Sequence, residues 1–113
     1  MNIIKDTQIP AGLSKRGKQA AGIILKQAAK RERFSTGGCR AFYTPKEWKD
    51  RGEPYGDGAV LIVCHDGGDF GPMFEMDHLC YDQVDEMINA LGAKDFHPEG
   101  MYCWCTAIYD DKG

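Results

Sequence analysis

The sequence lacks any apolar run that approaches the roughly 20 residues a membrane-spanning helix needs. Its N-terminus, Met1–Asp6, also lacks the apolar stretch of a signal peptide, so we expect a cytoplasmic protein that is not exported. The five cysteines are odd in number, and without a secretory signal we interpret them as reduced thiols. With 113 residues, of which 42% are hydrophobic and 27% charged, the chain predicts one soluble globular domain.

Basic residues are almost missing from the second half of the chain. Residues 1–51 contain twelve Lys and Arg against four Asp and Glu, a net charge of +8, whereas residues 52–113 contain two Lys against thirteen acids, a net charge of −11. An asymmetry of this size predicts an acidic partner for one surface or a basic partner for another. The alternative is that the two halves neutralise each other within the folded domain.

The most apolar stretch, Ala59–His65, has three β-branched residues and the length of a strand that is buried on both faces. We expect it to form the central strand of a small sheet. Further strands are predicted over residues 39–43 and 101–109. An edge strand is predicted over residues 70–75, where Pro72 disfavours the sheet interior.

Two long helices and one short helix are predicted. The first runs over residues 14–33 after an extended arm at residues 1–13, and the second runs over residues 80–91. A capping box at Thr44 begins the short helix. The buried stripe of the first helix consists of small and apolar residues, namely Leu13, Gly17, Ala20, Ala21, Ile24, Leu25 and Ala28. The buried stripe predicted for the second helix consists of Cys80, Val84, Met87, Ile88 and Leu91.

These elements predict a two-layer α+β fold in a single domain over residues 1–113, with a sheet of three or four strands and both long helices on one face. The other face is expected to carry aromatic and cysteine side chains that are partly exposed. A face of this kind can bind a partner, and a homodimer through it is one expectation.

The asymmetric charge is expected on the outer faces of the two long helices. Cations in the last turn of a helix suit its dipole, but Lys15, Arg16 and Lys18 lie at the opposite end and cost stability, which favours a binding role. The partner-binding residues that we predict are Lys15, Lys26, Lys30 and Arg33 on the first helix, and Asp82, Asp85 and Glu86 on the second.

No complete catalytic set is evident. Cys39 is the best candidate nucleophile, with His65 as its base and Asp66 orienting that base. Cys64 cannot pair with His65, because consecutive residues of a strand point to opposite faces. No phosphate-binding loop, haem, flavin or nucleotide fingerprint is present, so we expect no cofactor. A small hydrolase or transferase that uses Cys39, His65 and Asp66 is the alternative to a binding function.

A metal site could draw on the cysteines and histidines, namely Cys39, Cys103, Cys105, His65, His78 and His97. The Cys-x-Cys spacing at Cys103 and Cys105 differs from the Cys-x2-Cys spacing of structural zinc sites. Most of the cysteines lie in apolar runs, where a thiol behaves as a small core residue. We therefore expect no metal, and a metal-dependent enzyme belongs to the alternative function only.

Three segments carry a resemblance, at residues 37–48, 65–69 and 103–109. Over nearly its whole length, the chain resembles a family of small uncharacterised proteins of bacteria and their phages. The resemblance implies a setting, in which mobile elements carry short proteins that bind a host machine, but no activity or site residues. We expect a non-enzymatic binding or inhibitory module, encoded by a phage and directed at a host nucleic-acid-handling complex such as a CRISPR effector. Direct binding of nucleic acid is less favoured, because the pI is near 5.5.

Overall fold

The computed structural model describes residues 9–28, 41–52, 58–65, 81–102 and 105–112, apart from the side chains of Tyr81, Asp82 and Tyr102. Along the chain, the elements are α1 (Lys15–Ala28), β1 (Phe42–Tyr43), α2 (Pro45–Asp50), β2 (Leu61–Cys64), α3 (Tyr81–Gly92), β3 (Phe96–Tyr102) and β4 (Cys105–Asp110). The four strands form an antiparallel sheet in the order β1-β2-β4-β3. The fold is therefore α+β, as the sequence predicts. None of the described helices is both long and apolar enough to cross a bilayer.

β2 is one of the two inner strands, and all four of its side chains are buried. Its alternate residues lie in separate apolar clusters. Leu61 and Val63 pack with residues of α1 and α3, whereas Ile62 and Cys64 lie in the cluster on the opposite face. The predicted strand that is buried on both faces is therefore confirmed, and both long helices pack on the same face of the sheet.

Small residues let α1 lie close to the sheet. The Ser14 hydroxyl accepts a hydrogen bond from the Gly17 N–H at 3.0 Å and caps the helix where the sequence predicts. Gly17 is buried, and a Cβ atom built there would lie 2.4 Å from the carbonyl oxygen of Val60. The predicted buried stripe is confirmed, although Leu25 is only half-buried. Residues 29–33 of the predicted helix lie outside the described residues.

A complete capping box begins α2. The Thr44 hydroxyl accepts a hydrogen bond from the Glu47 N–H, and the Thr44 N–H donates to the Glu47 carboxylate, both at 3.0 Å. Pro45 occupies the first turn, where its missing N–H costs nothing. The helix therefore begins as predicted, and it places the buried side chain of Trp48 on the opposite face of the sheet from α1.

α3 buries a narrower face than the sequence predicts. Val84, Met87 and Leu91 are buried, but the side chain of Ile88 is 44% exposed. At 100° per residue, Ile88 lies about 70° from the centre of the stripe that the other three form. The prediction that Ile88 is buried is therefore wrong. Cys80, the remaining predicted member of the stripe, lies outside the described residues.

The prediction of one continuous strand over residues 101–109 is wrong, because these residues belong to two different strands. Residues 101–102 end β3, Cys105 begins β4, and Tyr102 pairs with Cys105 in an antiparallel hairpin. The sequence does not predict β3, because Pro98 and Gly100 are rare inside strands. β3 lies at the edge of the sheet, where a proline is tolerated. The predicted strand over residues 70–75 lies outside the described residues.

The far face of the sheet is less open than expected. Trp48 packs on this face, and the guanidinium of Arg51 lies 4.8 Å from the centre of the Trp48 ring. The centre of the face is buried, at Ile62, Cys64, Cys105 and Ala107. Partly buried side chains surround that centre, at Tyr43, Met101 and Tyr109. The expectation of exposed cysteines on this face is wrong for Cys64 and Cys105, whereas the homodimer through this face stays a prediction.

Candidate functional site

The outward side of α1 presents positive charge. The helix contains four Lys and Arg and no acid. Lys15, Lys18, Gly22 and Lys26 are exposed, and at 100° per residue they fall within an arc of about 80°. We call these four residues the basic face. Lys15 and Lys26 are among the predicted binding residues. Lys18 is not among them, although its place in the first turn favours a binding role and its helical position puts it on the same face.

Gly22 leaves the helix backbone bare in the middle of the basic face. Apart from its chain neighbours and the backbone of its own helix, no atom of the described part of the chain lies within 4 Å of the position that a Cβ would take there. Glycine in a helix interior costs about 1 kcal/mol relative to alanine. Because no described neighbour needs the space, packing among the described residues does not explain this cost.

Arg16 differs from the other cations of α1, because the fold itself uses its charge. Its guanidinium donates two hydrogen bonds to the Asp110 carboxylate at 2.8 and 3.0 Å, and another to the Lys94 carbonyl at 2.8 Å. The same group lies 3.9 Å from the centre of the Phe96 ring. Arg16 therefore ties the first turn of α1 to the turn after α3 and to the end of β4.

This ion pair shifts the pKa of both partners. The hydrogen bond from Arg16 holds the pKa of Asp110 below its ordinary value, although burial opposes the shift. The same hydrogen bond raises the pKa of Arg16. Both groups are therefore charged at neutral pH, and Asp110 neutralises the cation that lies beside the basic face.

The outward side of α3 presents negative charge. The helix contains three acids and no Lys or Arg, and Asp85 and Glu86 are exposed. We call Asp85 and Glu86 the acidic face. Asp82 belongs to the first turn of α3, but its side chain lies outside the described residues. Because acids near a helix N-terminus suit the dipole, part of this pattern also stabilises the helix.

The two charged faces do not neutralise each other within the described residues. α1 and α3 share an apolar cluster, and no ion pair there joins a lysine of the basic face to Asp85 or Glu86. Among the described residues, ion pairs join Arg16 to Asp110, Lys46 to Asp50 and Lys112 to Asp95, and the His97 ring lies beside the carboxylates of Glu99 and Asp111. Lys30 and Arg33, the other predicted binding residues, lie outside the described residues.

Of the alternative catalytic set, His65 alone lies among the described residues. The side chain of His65 is buried, with 3% exposure, and its Nε2 atom lies 2.9 Å from the Thr106 hydroxyl. This contact inside the core favours a structural role, because a general base must reach its substrate. Cys39 and Asp66 lie outside the described residues. Within the described part of the chain, no group of three His, Cys, Asp or Glu residues could hold a metal ion.

A second polar cluster lies on the hairpin of β3 and β4. The sequence does not predict this cluster. The His97 ring stacks on Tyr109 with a centroid distance of 5.3 Å. Its Nδ1 atom contacts Asp111, and its Nε2 atom lies 3.5 Å from the Glu99 carboxylate. These groups are 14 or fewer positions apart, and their contacts hold the end of β4 against β3.

Comparison with known proteins identifies no relative. No protein-family model, no characterised protein sequence and no solved structure matches the chain. The resemblance to a bacterial and phage family therefore stays a prediction, and the functional proposal depends on the chemistry of the charged faces.

Proposed function

We propose that the protein is a non-enzymatic binding module that holds a protein partner through the basic face and the acidic face. One observation carries this proposal. The basic face is exposed on a helix without acids, and no ion pair among the described residues joins it to the acidic face. Charge of one sign on a rigid helix speeds the encounter with an oppositely charged surface and fixes the orientation of docking.

The partner that this charge arrangement fits is a nucleic-acid-handling complex. Such a complex carries a basic channel for phosphate groups, and a face with Asp85 and Glu86 is complementary to that channel. Occupation of the channel would exclude nucleic acid and inhibit the complex. The resemblance to proteins of bacteria and phages supports an inhibitor of a host complex, of the kind that antagonises CRISPR effectors.

The bare backbone at Gly22 also supports a docking surface on α1. A partner can approach a helix most closely where the side chain is missing. Lysines before and after this position would pair with acidic groups on that partner. A close approach of this kind would account for a glycine that the described fold does not need.

Charge reversal tests this proposal. The basic-face variant K15E/K18E/K26E is compared with K49E/K94E/K112E, which changes net charge equally at exposed lysines elsewhere. The acidic-face variant D85K/E86K is compared with D50K/E99K in the same way. The wild type is used to isolate a complex from a bacterial host lysate, and the affinity of each variant for that complex is then measured.

We expect both face variants to lose at least tenfold in affinity and both control variants to bind like the wild type. Thermal unfolding checks that each variant is folded. Equal binding by all variants would overturn the proposal, as would equal losses in the face and control variants. Capture of DNA or RNA alone, without protein, would replace the proposed partner by nucleic acid.

A further inference from the structure

Two cysteines lie directly opposite each other in the sheet. Cys64 is the last residue of β2, Cys105 is the first residue of β4, and the two are paired in the antiparallel register. Both are buried in the same apolar cluster on the far face of the sheet, so their side chains point to the same side. Both are thiols in the structure.

The backbone hydrogen bonds show which type of antiparallel pair this is. The N–H of Cys64 donates to the carbonyl of Ala41 at 2.7 Å, on the side of β1. Since a strand residue directs its N–H and C=O to the same side, the backbone groups of Cys64 point away from β4. Cys64 and Cys105 therefore form a non-hydrogen-bonded pair, the type in which facing side chains are closest.

The separation in such a pair suits a disulfide. The Cα atoms of a non-hydrogen-bonded pair are about 4.5 Å apart. Disulfides join Cα atoms that are about 4.4–6.8 Å apart. The side chains already share one face, so a bond between the two sulfur atoms requires no change of register.

We propose that Cys64 and Cys105 form a site of thiol oxidation, at which a low-molecular-weight disulfide such as oxidised glutathione converts the two thiols into a cross-strand disulfide. One thiol first attacks the glutathione disulfide and releases one reduced glutathione. The second thiol then displaces the other glutathione. Two S–H bonds and one S–S bond break, one S–S bond forms in the protein, and the two protons and two electrons leave with two glutathione thiols.

The position of the pair permits this reaction although both thiols are buried. The pair closes the β2–β4 ladder at one end, since β2 ends and β4 begins there. Opening at the end of a ladder breaks fewer contacts than opening in its middle. We therefore expect slow oxidation of the folded protein, at a rate that follows this local opening.

The disulfide would also stabilise the fold. It would close a loop of 40 intervening residues that contains α3 and β3. A cross-link of this kind restricts the unfolded chain and favours the folded state. The two cysteines lie in the buried far-face cluster, so the oxidation site is independent of the proposed charged faces.

The test uses the variant C39S/C80S/C103S, which retains only Cys64 and Cys105. The folded protein is incubated with oxidised glutathione and then examined by intact mass spectrometry and thermal unfolding. We expect a loss of two hydrogen atoms and a rise in Tm of about 5 °C or more, both reversed by dithiothreitol. The control C105S in the same background should show neither change.

If the triple variant does not fold, peptide mapping of the oxidised wild-type protein identifies which cysteines are cross-linked. We expect a cross-linked peptide pair that contains Cys64 and Cys105. Retention of two alkylatable thiols in the folded triple variant, or a wild-type cross-link that joins other cysteines instead, would overturn the proposal.

Discussion

Alanine at Gly17 and alanine at Gly22 are expected to change the stability in opposite directions, although both glycines lie in α1. In either position, alanine gains about 1 kcal/mol of helix propensity. At Gly22 the new methyl group meets no described atom within 4 Å beyond its chain neighbours and the backbone of its own helix, so the gain is kept. We therefore expect G22A to raise the free energy of unfolding by about 1 kcal/mol.

At Gly17 the methyl group has no room. Its carbon would lie 2.4 Å from the Val60 carbonyl oxygen and 3.2 Å from Cδ2 of Leu13, and real Cβ contacts below 3.0 Å are essentially unknown. The carbonyl is a backbone group, and the N–H of the same residue donates to the Ile108 carbonyl at 2.8 Å. Relief therefore requires α1 to move away from the sheet.

The expected difference between the two variants follows from these terms. Overpacking of a core costs about 1–3 kcal/mol, and at Gly17 the cost is at the upper end because the obstructing atom belongs to the backbone. After the gain in propensity, G17A should lose about 1–2 kcal/mol. The two variants should therefore differ by about 2–3 kcal/mol in the free energy of unfolding.

Urea unfolding followed by circular dichroism measures this difference. With an m value of about 1–2 kcal/mol per molar, the midpoints of the two variants should be about 1–3 M apart, on either side of the wild type. A G17A variant as stable as the wild type would refute the close approach of α1 to Val60. A destabilised G22A variant would refute the open surroundings of Gly22.

Three further predictions concern the caps, the ion pair and the second long helix. T44A should lose about 1 kcal/mol in urea unfolding, because it removes the side-chain half of the capping box, and T44S should restore most of it. The lowered pKa of Asp110 adds stability above the ordinary pKa of an Asp, and this stability is lost as the pH falls through the folded-state pKa. The Tm of the wild type should therefore fall more steeply below pH 4 than that of D110N, and parallel curves would contradict this pKa shift. I88Q should change the free energy of unfolding by less than about 0.5 kcal/mol, whereas L91A should lose about 2–5 kcal/mol, and a large loss in I88Q would place Ile88 in the core.

Signals that lie within a few neighbouring residues predict much of the fold. The box formed by Thr44 and Glu47 predicts the start of α2, and the β-branched run at β2 predicts a strand buried on both faces. β3 could not be predicted in this way, because Pro98 is acceptable only at the edge of a sheet. Which strand lies at the edge depends on pairing between distant segments, and sequence periodicity does not report that pairing.

In the candidate site, too, local patterns predict some features, whereas contacts between distant residues could not be predicted. Helical periodicity predicts the outward positions of Lys15, Lys26, Asp85 and Glu86, and all four are exposed. Their role in binding stays a prediction. The partner of Arg16 lies 94 positions away, at Asp110, and no local pattern connects the two. The pairing of Cys64 with Cys105 could not be predicted from a local pattern either, because it depends on the register between β2 and β4.

The charge available to a partner is therefore smaller than the sequence indicates. Arg16 is an N-terminal cation of α1 like Lys15 and Lys18, but its charge is used to hold α1 against the end of β4. Partner binding should accordingly respond to the lysines of the basic face, whereas loss of Arg16 should act on the stability. We expect R16A to lower the Tm and, at a temperature where it is folded, to bind the partner with the affinity of the wild type. An R16A variant with an unchanged Tm and a large loss of affinity would show that this guanidinium belongs to the binding surface, and would contradict the division of charge between fold and partner.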